Sequence, residues 1–162
     1  MPAARKGFRM LNIDRSKILL MGGIGATVYN DLKEYDYSLK KWSSFSNLNQ
    51  DVFFIPEPRF GHTLNIWGNN VVCLGGNGDK IPKLKARKSF SDLRIMDLQT
   101  LEWIQADFSK DGKHDAMKRV NHAAAVLGDM LIIHGGLNSD ENYLYPNVEI
   151  FDLTNKKWLT AD

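Results

Sequence analysis

A single cysteine, Cys73, stands in 162 residues, and no asparagine lies in an Asn-x-Ser/Thr sequon. No disulfide can form within the chain, and both absences point to the cytoplasm, with the nucleus as the alternative setting. Long apolar runs are missing too. None approaches the ~20 residues that a bilayer-spanning helix needs, and no N-terminal stretch reads as a signal peptide. Nor is there an excess of charge of one sign: 21 Lys and Arg face 19 Asp and Glu, a formal net charge of +2. That removes the global basic field expected of a nucleic-acid binder. Composition also excludes disorder, since 43% of the residues are apolar and 25% charged, the balance of one globular domain with a core.

What the sequence does hold is repetition. Three glycine pairs, Gly22-Gly23, Gly75-Gly76 and Gly135-Gly136, each follow a short apolar run, ILLM, VVCL or LIIH. One tryptophan follows each pair (Trp42, Trp103, Trp158), and an aspartate lies six residues before each tryptophan (Asp36, Asp97, Asp152). Upstream, His62 and His122 each precede their glycine pair by 13 residues, with Arg59 and Arg119 three residues before the histidine. Counting the same offsets back from Gly22 lands on Lys6 and Arg9. KGFRMLNIDRSKILLMGG thus overlays RFGHTLNIWGNNVVCLGG and RVNHAAAVLGDMLIIHGG without a gap, and the first copy keeps the basic residue and loses the histidine.

Within one copy, four runs of strand length are bounded by turn residues, and no helical period is sustained. In the second copy they are GHTLNIW, NVVCLGG, LRIMDL and LEWIQA. Gly68 and Gly128 supply the positive φ of a tight hairpin, and Asp97 can accept hydrogen bonds from the turn that follows it. Each copy is therefore expected to be a four-stranded antiparallel meander. The glycine pairs let a neighbouring sheet approach, while the tryptophans and Tyr35, Met96 and Phe151 fill the space between sheets.

A glycine pair after an apolar strand, an aromatic-aspartate step and a spaced tryptophan together resemble the kelch repeat, over residues 6–160. The resemblance implies an all-β fold of three four-stranded blades, part of a β-propeller. It divides the chain into a lead (1–5), blade 1 with its connection (6–58), blade 2 with a basic insertion (59–118) and blade 3 (119–162). Rings of this kind use about 4 to 8 blades. Three blades are thus expected to be either a segment of a larger ring or a half-ring that pairs as a homodimer into six.

Catalytic and metal motifs are not found. GGIGATVY and GGNGDKIP fit neither dinucleotide nor phosphate-loop patterns, and the histidines and Cys73 lack zinc-ligand spacing. No cofactor is expected. The function the resemblance implies is a non-catalytic scaffold that presents its loops to a protein or acidic peptide. The alternative is part of a kelch-like oxidase or hydrolase whose site is incomplete in this segment.

The candidate partner-binding residues fall in three groups. Lys6, Arg59 and Arg119 occupy the repeated basic position, where a guanidinium either engages a partner carboxylate or ties adjacent blades through backbone carbonyls. The insertion NGDKIPKLKARKSFSD carries Lys80, Lys83, Lys85, Arg87 and Lys88 against Asp79. It reads as a loop broken at Pro82, with too few aromatics beside it for nucleic acid. The acidic loop SDENYLYPN offers Tyr143 and Tyr145 as anchors or as cover for the open blade face.

Overall fold

Residues 1–45, 55–82, 86–106 and 118–159 are described by a computed structural model of the chain. Among them every regular element is a β-strand, and all strand pairs are antiparallel. The first sheet contains β1 (Arg9–Asn12), β2 (Lys17–Met21), β3 (Leu32–Asp36) and β4 (Lys41–Ser44). The second contains β5 (Thr63–Trp67), β6 (Asn70–Leu74), β9 (Leu93–Asp97) and β10 (Trp103–Gln105). The third contains β11 (Ala123–Leu127), β12 (Met130–His134), β15 (Val148–Asp152) and β16 (Lys157–Leu159). Each is a meander in chain order.

The turn chemistry works as the residues predict. Gly68 and Gly128 adopt φ of 54° and 58° between the first two strands of the second and third sheets. Between the third and fourth strands, Asp36 Oδ1 accepts from the backbone N–H of Ser38 and Leu39 at 2.8 and 2.9 Å. Asp97 Oδ1 does the same for Gln99 and Thr100 at 2.7 and 3.0 Å, and Asp152 Oδ1 for Asn155 at 2.8 Å. These carboxylates replace the partners that the turn backbone would otherwise lack.

Two apolar layers separate the three sheets. Between the first and second, Leu19 and Met21 meet Val71, Cys73, Met96 and Trp103. Between the second and third, Val72, Leu74, Leu93 and Ile95 meet Leu131, Ile133, Phe151 and Trp158. Alternation along β6 sends Val71 and Cys73 to one layer and Val72 and Leu74 to the other, so this strand is buried on both faces. The aromatic of the third strand lies directly across from the tryptophan of the fourth: Tyr35 opposite Trp42, Phe151 opposite Trp158. Met96 takes that place beside Trp103.

The strand register corrects the gap-free overlay of the first copy. Arg9 pairs with Met21 as Thr63 pairs with Leu74 and Ala123 with His134. The β1–β2 turn is therefore one residue longer than its counterparts, which shifts everything before it by one. The repeated basic position in the first copy is Arg5, not Lys6, and the place of His62 and His122 is taken by Phe8, not Arg9. Lys6 instead matches Phe60 and Val120: all three form backbone bridges, to Ile24, Asn77 and Leu137 respectively.

The basic insertion also differs from a broken loop. It folds back as a hairpin of β7 (Asn77–Ile81) and β8 (Ala86–Ser89), with Pro82 in the turn. A shorter pair, β13 (Leu137–Asn138) and β14 (Tyr143–Leu144), stands at the same place in the third sheet.

Candidate functional site

The three equivalent arginines build one repeated device. The Arg59 side chain is wholly buried. Its Nη1 donates to the carbonyl of Gly75 at 3.0 Å, and Nη1 and Nη2 grip the two Asp92 oxygens at 2.7 and 2.9 Å. Its guanidinium lies 4.2 Å from the centre of the Phe90 ring. Arg5 repeats this with Gly22, Asp31 and Tyr29, donating to Gly22 O at 3.0 Å and to Asp31 Oδ2 at 3.1 Å. Arg119 repeats it with Gly135 and Tyr145, at 3.2 Å to the Gly135 carbonyl and 4.0 Å to the ring. Where Asp31 and Asp92 stand, the third copy has Asn147.

Backbone groups of the same residues reach the previous sheet. Gly23 N–H donates to Arg59 O at 2.8 Å, and Gly76 N–H to Arg119 O at 2.9 Å. Of the two roles the sequence leaves open for Arg59 and Arg119, the geometry is that of the internal tie. Each carbonyl holds the preceding glycine pair and each guanidinium holds its own. Burial works against the Asp92 carboxylate, but the Arg59 and then the Arg94 guanidinium keep its pKa below the usual value. Glycine is required here. At Gly76, φ is +96° and a Cβ would lie 2.9 Å from both the Cβ of His62 and the carbonyl oxygen of Phe60.

His62 and His122 sit behind this device. Burial, followed by the neighbouring Arg59 and Arg9, pushes the His62 pKa well below its ordinary value. Burial and then Arg119 push His122 down to about 3. Both are neutral at physiological pH, and His122 Nε2 shares a 3.0 Å hydrogen bond with Thr63 Oγ1. Cys73 is enclosed in β6, where burial pushes its thiol up to about 12. Among the described residues, no group of three or more His, Cys, Asp and Glu is placed to hold a metal ion.

The basic hairpin supplies a different surface. Lys80 and Arg87 are direct cross-strand partners in β7–β8. With Asp79, and with residues 24–28 of the first sheet's corresponding loop, they line a cleft of about 420 Å³. Arg87 is held in place over the Phe60 ring, 5.0 Å from its centre, and donates to Gly78 O at 3.1 Å. Among the described residues, neither Lys80 nor Arg87 is bonded to a carboxylate. Lys88 is already occupied, with both Glu57 oxygens at 2.7 Å. Lys6 is exposed at the rim of the first sheet. Lys83 and Lys85 lie outside the described residues. Tyr145 forms the stack under Arg119, whereas Tyr143 is 49% exposed and meets Tyr145 edge-on at 5.2 Å.

Sequence reasoning missed the other wall of this cleft, formed by residues 24–28. The signal available was positional: GGIGATVY joins the second and third strands of its copy, as the basic insertion does in the next.

A family model described as the KLHDC2/KLHL20/DRC7 Kelch-repeats domain matches residues 1–162. An F-box/kelch-repeat protein of Arabidopsis thaliana is 32% identical over 152 residues, covering 85% of this chain and 29% of that protein. Protein ral2 of Schizosaccharomyces pombe is 25% identical over 156 residues, 84% of this chain and 25% of that one. A probable serine/threonine-protein kinase of Dictyostelium discoideum is 33% identical over 82 residues, 51% of this chain and 6% of that one. The chain thus spans well under a third of the length of each of these relatives. With the glycine pairs, turn aspartates and spaced tryptophans all in register across three antiparallel sheets, the chain belongs to the kelch-repeat family.

Proposed function

We propose that the three sheets are propeller blades, divided at about residues 6, 59 and 119, and that they form a non-catalytic intracellular scaffold. The scaffold takes an acidic segment of a partner protein in the cleft between residues 24–28 and the β7–β8 hairpin. One observation carries this reading. Lys80 and Arg87 stand side by side on the cleft wall and, among the described residues, neither is ion-paired with a carboxylate, although Asp79 shares the lining, so their charge is available to an incoming one. The volume suits a short run of side chains rather than a whole domain. Lys6 adds positive charge beside Ile24 of the cleft wall, Lys83, Lys85 and Lys88 belong to the same basic insertion, and Tyr143 offers an exposed ring on the neighbouring hairpin. Arg59, Arg119 and Tyr145 serve the scaffold by holding the loops that carry these groups.

The test is fluorescence anisotropy with a panel of short, labelled Asp- and Glu-rich peptides, alongside sequence-matched peptides carrying Asn and Gln. Binding to the acidic members is expected, weakening with added salt, and at least tenfold weaker for the double variant Lys80→Glu/Arg87→Glu. Equal binding of the amide peptides, or unchanged affinity of the double variant, would overturn the assignment.

A further inference from the structure

Among the described residues, the third sheet lacks on its outer side contacts that its two predecessors receive there. Leu93 of the second sheet is fully buried, while Val148, its equivalent by register, is 51% exposed. Ile95 is 5% exposed, whereas Ile150 is only half-buried. Trp67 packs against the second apolar layer and donates from Nε1 to Asp129 at 2.8 Å. Its counterpart Leu127 is 72% exposed. A Cβ at Gly22 would lie 2.6 Å from the carbonyl oxygen of Arg59, but at Gly135 it would meet nothing within 4 Å. His134, in the place of Met21 and Leu74, interrupts the apolar character of this face at one end, as Asp152 and Lys157 do at the other.

On the opposite side of the first sheet Ile18, Tyr35 and Trp42 are only half-buried while Leu20 is 4% exposed, and there the sheet presents the other half of the same contact. Ile18, Leu20, Tyr35 and Trp42 hold the positions that Val71, Cys73, Met96 and Trp103 use against the sheet before them. Met10, at the edge of that face, is 47% exposed.

The backbone groups match in sign as well. Gly61 N–H donates to Gly7 O, and Asn121 N–H to Gly61 O, both at 2.8 Å. Continuing that series, the third sheet offers the Gly136 N–H and the Asn121 carbonyl. The first offers the Arg5 carbonyl and the Gly7 N–H. Among the described residues none of these four has its serial partner.

We infer that the outer faces of the third and first sheets are the two halves of one interface, each covered by the other in a second copy of this chain. Two such contacts, related by a two-fold axis, satisfy both copies at once and leave no open face. The interface continues one already made twice inside the chain, with the same residue positions and the same donor-acceptor pattern. It stands independently of the acidic-segment reading, because the cleft lies between the first and second sheets of one copy.

Multi-angle light scattering of the 162-residue chain, over a range of concentrations, should give a discrete species of twice 18.4 kDa. Val148→Asp and, separately, Leu127→Asp should each return it to a single 18.4 kDa chain with an unchanged far-ultraviolet spectrum, since both side chains are exposed in the isolated copy. Lys80→Glu/Arg87→Glu should leave the mass unaltered. A monomer at all concentrations, an open-ended ladder or aggregate, or a dimer that survives both aspartate variants would overturn the inference.

Discussion

Replacing Asp92 by asparagine changes one oxygen to nitrogen and removes the countercharge from a fully buried guanidinium. In the native chain, Asp92 accepts 2.7 and 2.9 Å bonds from Arg59 and a 2.8 Å bond from Arg94 Nε. An asparagine can keep at most one of the two Arg59 bonds as acceptor and turns an N–H₂ donor toward the other. Arg59 would then be left with backbone carbonyls, the Phe90 ring and at most one neutral amide acceptor. Removing one partner of a buried pair costs about 3–5 kcal/mol. The lower end applies here, because the Asp92 side chain is 14% exposed and water can partly replace it.

We therefore expect Asp92→Asn to lose about 3 kcal/mol at neutral pH, a large part of the ~5–15 kcal/mol by which a typical domain is stable. Urea unfolding followed by tryptophan fluorescence measures this directly, with the buried Trp103 as reporter. The sign of the pH dependence is fixed. Asp92 has a folded-state pKa below its ordinary 3.8, so its stabilisation is full above that value and is lost as pH falls through the folded-state pKa. The gap between native chain and variant should close in acid, where both carry a neutral group. A loss under about 1 kcal/mol at neutral pH, or a gap that does not change with pH, would refute the reasoning.

The same geometry predicts the opposite effect in the third copy. Asn147→Asp restores the carboxylate that Asp31 and Asp92 supply and should raise stability by about 1 kcal/mol, discounted for the exposure of residue 147. Calorimetry would record this as a Tm increase of about 2–4 °C, and no increase would argue against the equivalence. His62→Phe places there the residue that the first copy uses at Phe8. His62 has a depressed folded-state pKa, so its contribution is full above the ordinary value of 6.5 and is lost as pH falls below it, at up to roughly 1.4 kcal/mol per pH unit. The variant should fold at neutral pH with a flatter acid side to its stability profile. A profile as steep as the native one would refute the assignment.

The glycine pairs, turn aspartates and tryptophans were readable because each has one local cause. Positive φ, an Asx turn and a cross-strand ring contact recur at fixed spacing whatever the intervening loops do. The arginine device was only half-readable. Arg59 and Arg119 stand out by spacing, but Tyr29, Phe90 and Tyr145 lie at unequal distances from their glycine pairs, because the loops between differ in length. Their constant relation is to the following strand, three residues before Leu32, Leu93 and Val148. Arg5 was missed for a smaller reason. The first hairpin closes through Asp14, whose Oδ1 accepts from Ser16 N–H at 2.6 Å, and the extra turn residue is invisible to a count made back from the glycines. The β7–β8 hairpin was hidden by its composition, since a run of lysines around a proline carries no alternating pattern. The cleft joins loops more than fifty residues apart, a juxtaposition that no local pattern records.

Because Arg59 and Arg119 each clasp one glycine pair with the carbonyl and the next with the side chain, this tie between sheets passes beneath the variable loops; loop residues add contacts to it, such as Arg59 N–H to Tyr29 O and Asn77 to Ser139. The segment between Gly76 and Phe90 can thus be lengthened, shortened or exchanged while Phe90 N–H still closes onto Gly76 O at 2.9 Å. Foreign hairpins grafted there should inherit a rigid base, making this small fold a pegboard on which recognition surfaces can be swapped at constant foundation.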